Sequence, residues 1–305
     1  MEAWLHPLLR FAHYALLLGL FGVTAIRAFG LGRLAAGALP DMRLPVVSGC
    51  ILAAVVSLAL MVVSIAAMMG QPVASLDWPM FEVMVASTSM GWAFLIRLAA
   101  LLAALGVLAF PLRRWNLAGA AVLLGVALAT LAWSGHAAAS EGRLGTLHRL
   151  SDALHLLASG VWIGAIGWFA HLVVAAHRRP NRMASAPLLA TMHRFRFLGA
   201  ALVGVVASTG ILNAHLIFGL GNSGAVLGTA YGVLLAGKIA VVGAMLLLAG
   251  RNALLSRRAA RESADVPTAA GSLLPALRRS LAAELSLAAL VIGCVAVLGL
   301  MSPMG

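Results

Sequence analysis

Eight continuous apolar stretches, each long enough to cross a bilayer, follow one another through this chain. About twenty predominantly apolar residues span the hydrocarbon core as an α-helix. A helix satisfies every backbone N–H and C=O within itself, which lipid cannot do. Closed β-barrels are the other solution, and they alternate apolar and polar residues with period two. No such alternation is present here. The stretches predict an all-α polytopic membrane protein, one domain over 1–305, with helices at 5–29, 45–69, 91–112, 115–136, 148–176, 196–218, 227–250 and 280–301. Composition agrees: of 305 residues, 62% are hydrophobic and 10% charged, against roughly 25% charged in a soluble domain. Glu2 precedes the first stretch and no small-residue cleavage pattern follows it, so that stretch is expected to remain in the membrane. No strong internal repeat supports an inverted-repeat transporter.

The net charge of +12 would suggest nucleic acid in a soluble protein. Loop topology explains it without such a partner. Arg27, Arg33 and Arg43 follow the first stretch, and Arg113 and Arg114 the third. Arg178, Arg179, Arg182, Arg194 and Arg196 follow the fifth. Arg251, Arg257, Arg258, Arg261, Arg278 and Arg279 follow the seventh. The opposite connections hold Arg143 and Arg149 alone. Basic residues favour the cytoplasmic side, so both termini are expected outside the cytoplasm. The connection 251–279 reads as a flexible cytoplasmic linker. The connection 70–90 lacks Lys and Arg and reads as a short amphipathic surface helix. Cys50 and Cys294 lie inside apolar runs and are expected to be buried small hydrophobes.

This orientation gives each polar residue a depth. His6, His13, His136, His148, His155 and His215 fall in the outer half, together with Met61, Met68, Met69, Met80, Met84, Met90, Met301 and Met304. His171, His177, Met183, Met192 and His193 form a smaller set at the inner end. Imidazole and thioether are good ligands for copper, and thioether favours Cu(I) over zinc or magnesium. Such neutral ligands also cost less in lipid than carboxylates do. The candidate metal ligands are therefore His13, His136, His155, His148, His6, His215, Met80, Met84 and Met90. The hairpin 133–168, which carries His136, His148, Asp152 and His155, is expected to organise the rest. His148 and His155 share a helix face but stand about 10 Å apart along it, too far to hold one ion directly. They would be successive stations, or each would join ligands from another helix. His13 with His155 is the pair of most interest.

Other readings compete. An intramembrane His can be a hydrogen-bonded packing residue, and a Met can be filler. Asp152 lies at the depth of Arg10 and Arg97 and can pair with either. Lys238 sits near mid-membrane with no acidic residue expected at its depth. Two His on adjacent helices can also ligate a b-type haem, which would make His13, His136 and His155 axial ligands in a membrane oxidoreductase.

Several short runs resemble the copper resistance protein CopD family of bacterial inner-membrane proteins. They are R-F-A-H-Y at 10–14, S-G-H-A at 134–137, D-A-L-H-L-L-A-S-G-V-W-I-G at 152–164 and R-F at 194–195. S-T-G-I-L-N-A at 208–214, Y-G-V-L-L-A-G-K at 231–238, R-N at 251–252 and A-E-L at 283–285 continue the series. The resemblance covers nearly the whole chain and implies an eight-helix, multi-pass protein that moves copper, as Cu+ or Cu2+, from periplasm to cytoplasm. It implies a periplasmic copper-binding CopC-like chaperone as partner, and no enzymatic reaction. The chain carries neither a CopC-like soluble domain nor a P-loop.

Overall fold

A computed structural model describes residues 2–30, 42–110, 113–178, 185–265 and 273–303. Arg33, Arg179, Arg182, Met183 and Met304 lie outside the described residues, as does 266–272 of the connection after the seventh stretch. So do the side chains of Arg114, Arg258 and Arg261. Among the described residues the regular structure is all helical, without strands.

The helices are α1 (Glu2–Ala25, continued by a π-turn at Ile26–Gly30), α2 (Arg43–Met68), α3 (Trp78–Ser87) and α4 (Ser89–Ala109). Then come α5 (Arg114–Ala129), α6 (Gly142–Arg178) and α7 (Ser185–Phe218). The last three are α8 (Ser223–Leu227), α9 (Ala230–Asp265) and α10 (Leu274–Leu298). Eight of them, all but α3 and α8, are long and apolar enough to cross a membrane. These are the eight expected from sequence. An even number of crossings returns the C-terminus to the side where α1 begins.

Three differences in extent have one cause. α6 begins at Gly142, α7 at Ser185, and α9 continues to Asp265. The polar or mixed turns that extend them continue the helix without raising hydropathy, so an apolar run alone does not reveal them. The connection 251–279 is thus helical on both sides of 266–272. The short surface helix over 70–90 is α3, capped by Asp77, whose carboxylate accepts from Met80 N at 3.1 Å.

α6 packs against α1, α5, α7 and α10 and is the central helix of the bundle. Its seam with α1 requires glycine. A Cβ at Gly164 would fall on the Gly22 backbone, and one at Gly22 on the Gly160 carbonyl. Small residues four apart let two membrane helices approach backbone to backbone. Two apolar layers fill the interior. Leu17, Leu101, Leu124 and Leu128 join α1, α4 and α5, while Trp168, Leu172, Leu188, Leu277 and Leu281 join α6, α7 and α10. α7 and α9 bury little of their surface within the chain. Their apolar faces are left for lipid.

Candidate functional site

α6, α7, α9 and α10 close a ring, with α1 beside it, and line a partly open cavity of about 630 Å³. Its walls at the end where α6 begins are polar: Arg10, Tyr14, His136, His148, Asp152, His155, Asn213, Tyr231 and Lys238. Its far walls are apolar, including Trp162, Val203, Val242, Met245 and Ala288. The polar and apolar ends of the bundle can be called the histidine end and the arginine end.

The connection between α5 and α6 lines this end of the cavity through Ser134, Gly135, His136 and Ala137. Gly135 (φ +119°) and Gly142 (φ +60°) supply backbone angles that L side chains avoid. Between them, Ser140 is held by both neighbours on α6. Its hydroxyl lies 3.1 Å from His148 Nδ1, and its carbonyl accepts from Arg149 at 3.1 Å. His136 donates from Nε2 to the Leu298 carbonyl at 3.0 Å and meets the Tyr231 ring edge-on at 5.7 Å. The hairpin is thereby fastened to α9 and α10.

Hydrogen-bond bookkeeping fixes which ring nitrogens remain available. A hydroxyl has one proton. Thr209 Oγ1 donates to the Val205 carbonyl at 2.6 Å, so it accepts from His155 Nδ1 at 3.0 Å. His155 Nε2 then keeps its lone pair. His136, donating from Nε2, keeps the pair on Nδ1. His13 follows the same logic, because Ser57 donates to Ala53 O at 2.7 Å and accepts from His13 Nε2 at 2.7 Å. Among the described residues, His13 Nδ1 is buried with no hydrogen-bond partner. An imidazole whose second nitrogen is anchored in this way has the form of a metal ligand.

The structure sorts the remaining candidates. His13 hydrogen-bonds Ser57 on α2, while His155 hydrogen-bonds Thr209 on α7; His155 is among the residues lining the cavity and His13 is not. His6 is half-buried, 3.3 Å from Ser64 Oγ on α2. His215 is exposed, and its Nδ1 accepts from Leu220 N at 3.5 Å, beyond the end of α7. Met80 is exposed, whereas Met84 and Met90 pack against Met61, Ile65 and Phe94. None of these three methionines lines the cavity, whose lining thioether is Met245. Among the described residues, no three His, Cys, Asp or Glu side chains converge to hold a metal.

Two expectations about charge are corrected. Asp152 pairs with neither arginine. It accepts from Asn213 Nδ2 at 3.3 Å. Arg10 donates to the Ala296 carbonyl at 3.1 Å, under Gly299, where a Cβ would strike its guanidinium. Arg97 donates to Thr130 Oγ1 at 2.9 Å. Lys238 does have a carboxylate within electrostatic reach, and it is Asp152, across the same cavity. Tyr14 and Tyr231, the chain's two tyrosines, both line the cavity. Sequence reasoning passed over them. A phenol inside an otherwise apolar span was the available signal.

These features define a polytopic helical membrane protein with a vestibule lined at one end by imidazoles and a carboxylate. Residues 1–146 match the N-terminal domain of copper resistance protein D-like proteins, and residues 189–298 match the copper resistance protein D domain. Copper resistance protein D of Pseudomonas syringae pv. tomato is 38% identical over 318 residues, covering 99% of this chain and 98% of that protein. Copper transport protein CutJ of Bacillus subtilis (strain 168) is 32% identical over 130 residues, which is 43% of this chain and 23% of that protein. The chain belongs to the copper resistance protein D family. No solved structure matches it.

The runs that carried the resemblance meet in space. Asp152 and His155 meet Asn213 and Thr209. Asn252 meets Glu284.

Proposed function

We propose that this protein is a copper permease of the bacterial inner membrane, with both termini and the histidine end facing the periplasm. Copper enters the vestibule past His136 and His148 and reaches His155 and Asp152, with Asn213 and Tyr231 beside them. The observation that carries the reading is the gathering of three anchored imidazoles and one carboxylate in a single cavity. The names of its relatives, given for copper resistance and copper transport, point the same way.

The absence of a closed three-ligand cage among the described residues suits passage rather than storage. Conduction needs sites attractive enough to enter and weak enough to leave. A CopC-like periplasmic chaperone would deliver copper at the mouth. His6, His215 and the methionines of α3 lie outside the vestibule and would act at most in first capture.

Uptake of radioactive copper into proteoliposomes tests the reading. Accumulation above protein-free vesicles, lost on His155→Ala, is expected. Binding without accumulation would leave a sensor or scaffold instead. The haem alternative has a separate readout, since stoichiometric haem would give purified protein a Soret band.

A further inference from the structure

Beyond the apolar floor of the vestibule lies a second polar group that the copper path does not use. Glu284 on α10 is 2% exposed and accepts from Asn252 Nδ2 on α9, itself 7% exposed. Among the described residues, Asn252 Oδ1 has no hydrogen-bond partner. Ser280, one turn from Glu284 on the same face of α10, is 3% exposed, and its hydroxyl also lacks a partner. Glu284 stands about 6 Å along α10 from Ala288 in the vestibule wall. Asn252 stands about 10 Å along α9 from Met245. None of the three is among the residues that line the vestibule.

We infer that Glu284, Asn252 and Ser280 form a proton-binding site in the α9–α10 seam. A carboxylate buried without a counter-ion is costly. The charged or titratable groups on helices against α10 include Arg10, His13 and Tyr14 on α1, Arg27 on its π-turn, His148, Arg149, Asp152, His155, His171, His177 and Arg178 on α6, and Tyr231, Lys238, Arg251 and Arg257 on α9, with Arg278 and Arg279 on α10 itself. None of them hydrogen-bonds or ion-pairs with Glu284 among the described residues. The amide is suited to both protonation states. Its N–H₂ donates to the ionised carboxylate, and after a half-turn its carbonyl accepts from the protonated one. Protonation transfers H+ from hydronium to a Glu284 oxygen, so one O–H bond forms as one in hydronium breaks, and no oxidation state changes. An amide–carboxylate bond can serve as interhelical glue alone, but glue leaves the two orphaned oxygens without a reason.

If the protein moves copper as proposed above, this site is where a proton would couple to that movement; proton binding itself does not depend on the copper reading. Infrared difference spectra of the reconstituted full-length protein, without copper, across a pH step provide the first test. The wild type and Asp152→Asn should both show a carboxylic C=O band that shifts in deuterium oxide. Glu284→Gln should lose it, and Asn252→Leu should shift it while the protein still elutes as a folded species. An unchanged band in Glu284→Gln, or displacement of the band by sodium at fixed pH, would overturn the proposal. The second test records internal pH during copper uptake into proteoliposomes. Glu284→Gln should bind copper within about twofold of wild type yet lose the pH-gradient dependence of uptake. Should wild type show the band but no copper uptake, the permease reading fails and the proton site stands.

Discussion

Replacing Thr209 by valine isolates the anchoring of His155 from the imidazole itself. The two side chains have nearly the same shape, so packing between α6 and α7 is retained. The change removes the oxygen that accepts from His155 Nδ1 at 3.0 Å. It also removes a bond from that oxygen to the Val205 carbonyl, which stays within the α7 ladder. Loss of such an outer partner typically lowers metal affinity about 10- to 100-fold, or about 1.4–2.8 kcal/mol. The upper end applies if His155 Nδ1–H is left without an acceptor in a half-buried wall. Competition titration of Cu(I) against a chelator, on purified protein, reads the affinity directly. Thr209→Ser, which keeps the hydroxyl, should restore most of the loss. The double variant with His155→Ala should be no weaker than His155→Ala alone, because the hydroxyl acts through the ring. If Thr209→Val binds as wild type does while His155→Ala does not, the anchoring argument is refuted.

Copper titration should show a larger loss for His155→Ala or His136→Ala than for His171→Ala, whose ring stacks on Trp168 at 5.5 Å outside the vestibule; equal losses would count against the vestibule as the capture site. Joint replacement of Met80 and Met84 on α3 and Met90 on α4 by leucine keeps the α2–α4 packing and should slow uptake at low copper without changing the melting temperature; unchanged kinetics would remove these methionines from the mechanism. Gly164→Ala should lower thermal stability in detergent by about 1–3 kcal/mol, the usual cost of overpacking, whereas Gly106→Ala, with nothing within 4 Å of the new methyl, should not; equal melting curves would dismiss the close α1–α6 approach. Alkaline phosphatase fused after Gly305 should be active in the periplasm, and an inactive fusion would invert the proposed direction of entry.

Hydropathy alone gave the fold class and the eight crossings, because lipid forces each span to declare itself as one unbroken apolar run. The family was legible in the same way, from short motifs in fixed order along the chain. Helix ends were not, since polar turns such as 142–147 and 251–265 continue a helix without raising hydropathy. The candidate site was legible as a set of residue types and depths but not as partnerships. Depth along a span is one coordinate, whereas contact also needs the rotation of each helix and its neighbour in the ring. Tertiary packing therefore decided that Asp152 meets Asn213 rather than an arginine, and that His13 turns to α2 while His155 turns to α7. It also parted the methionines of α3 from the vestibule and brought Asn252 against Glu284 across 32 residues of chain. A one-dimensional string carries the membrane's demands on each helix separately; which faces touch is fixed only when glycines such as Gly22, Gly160 and Gly164 let particular helices close together.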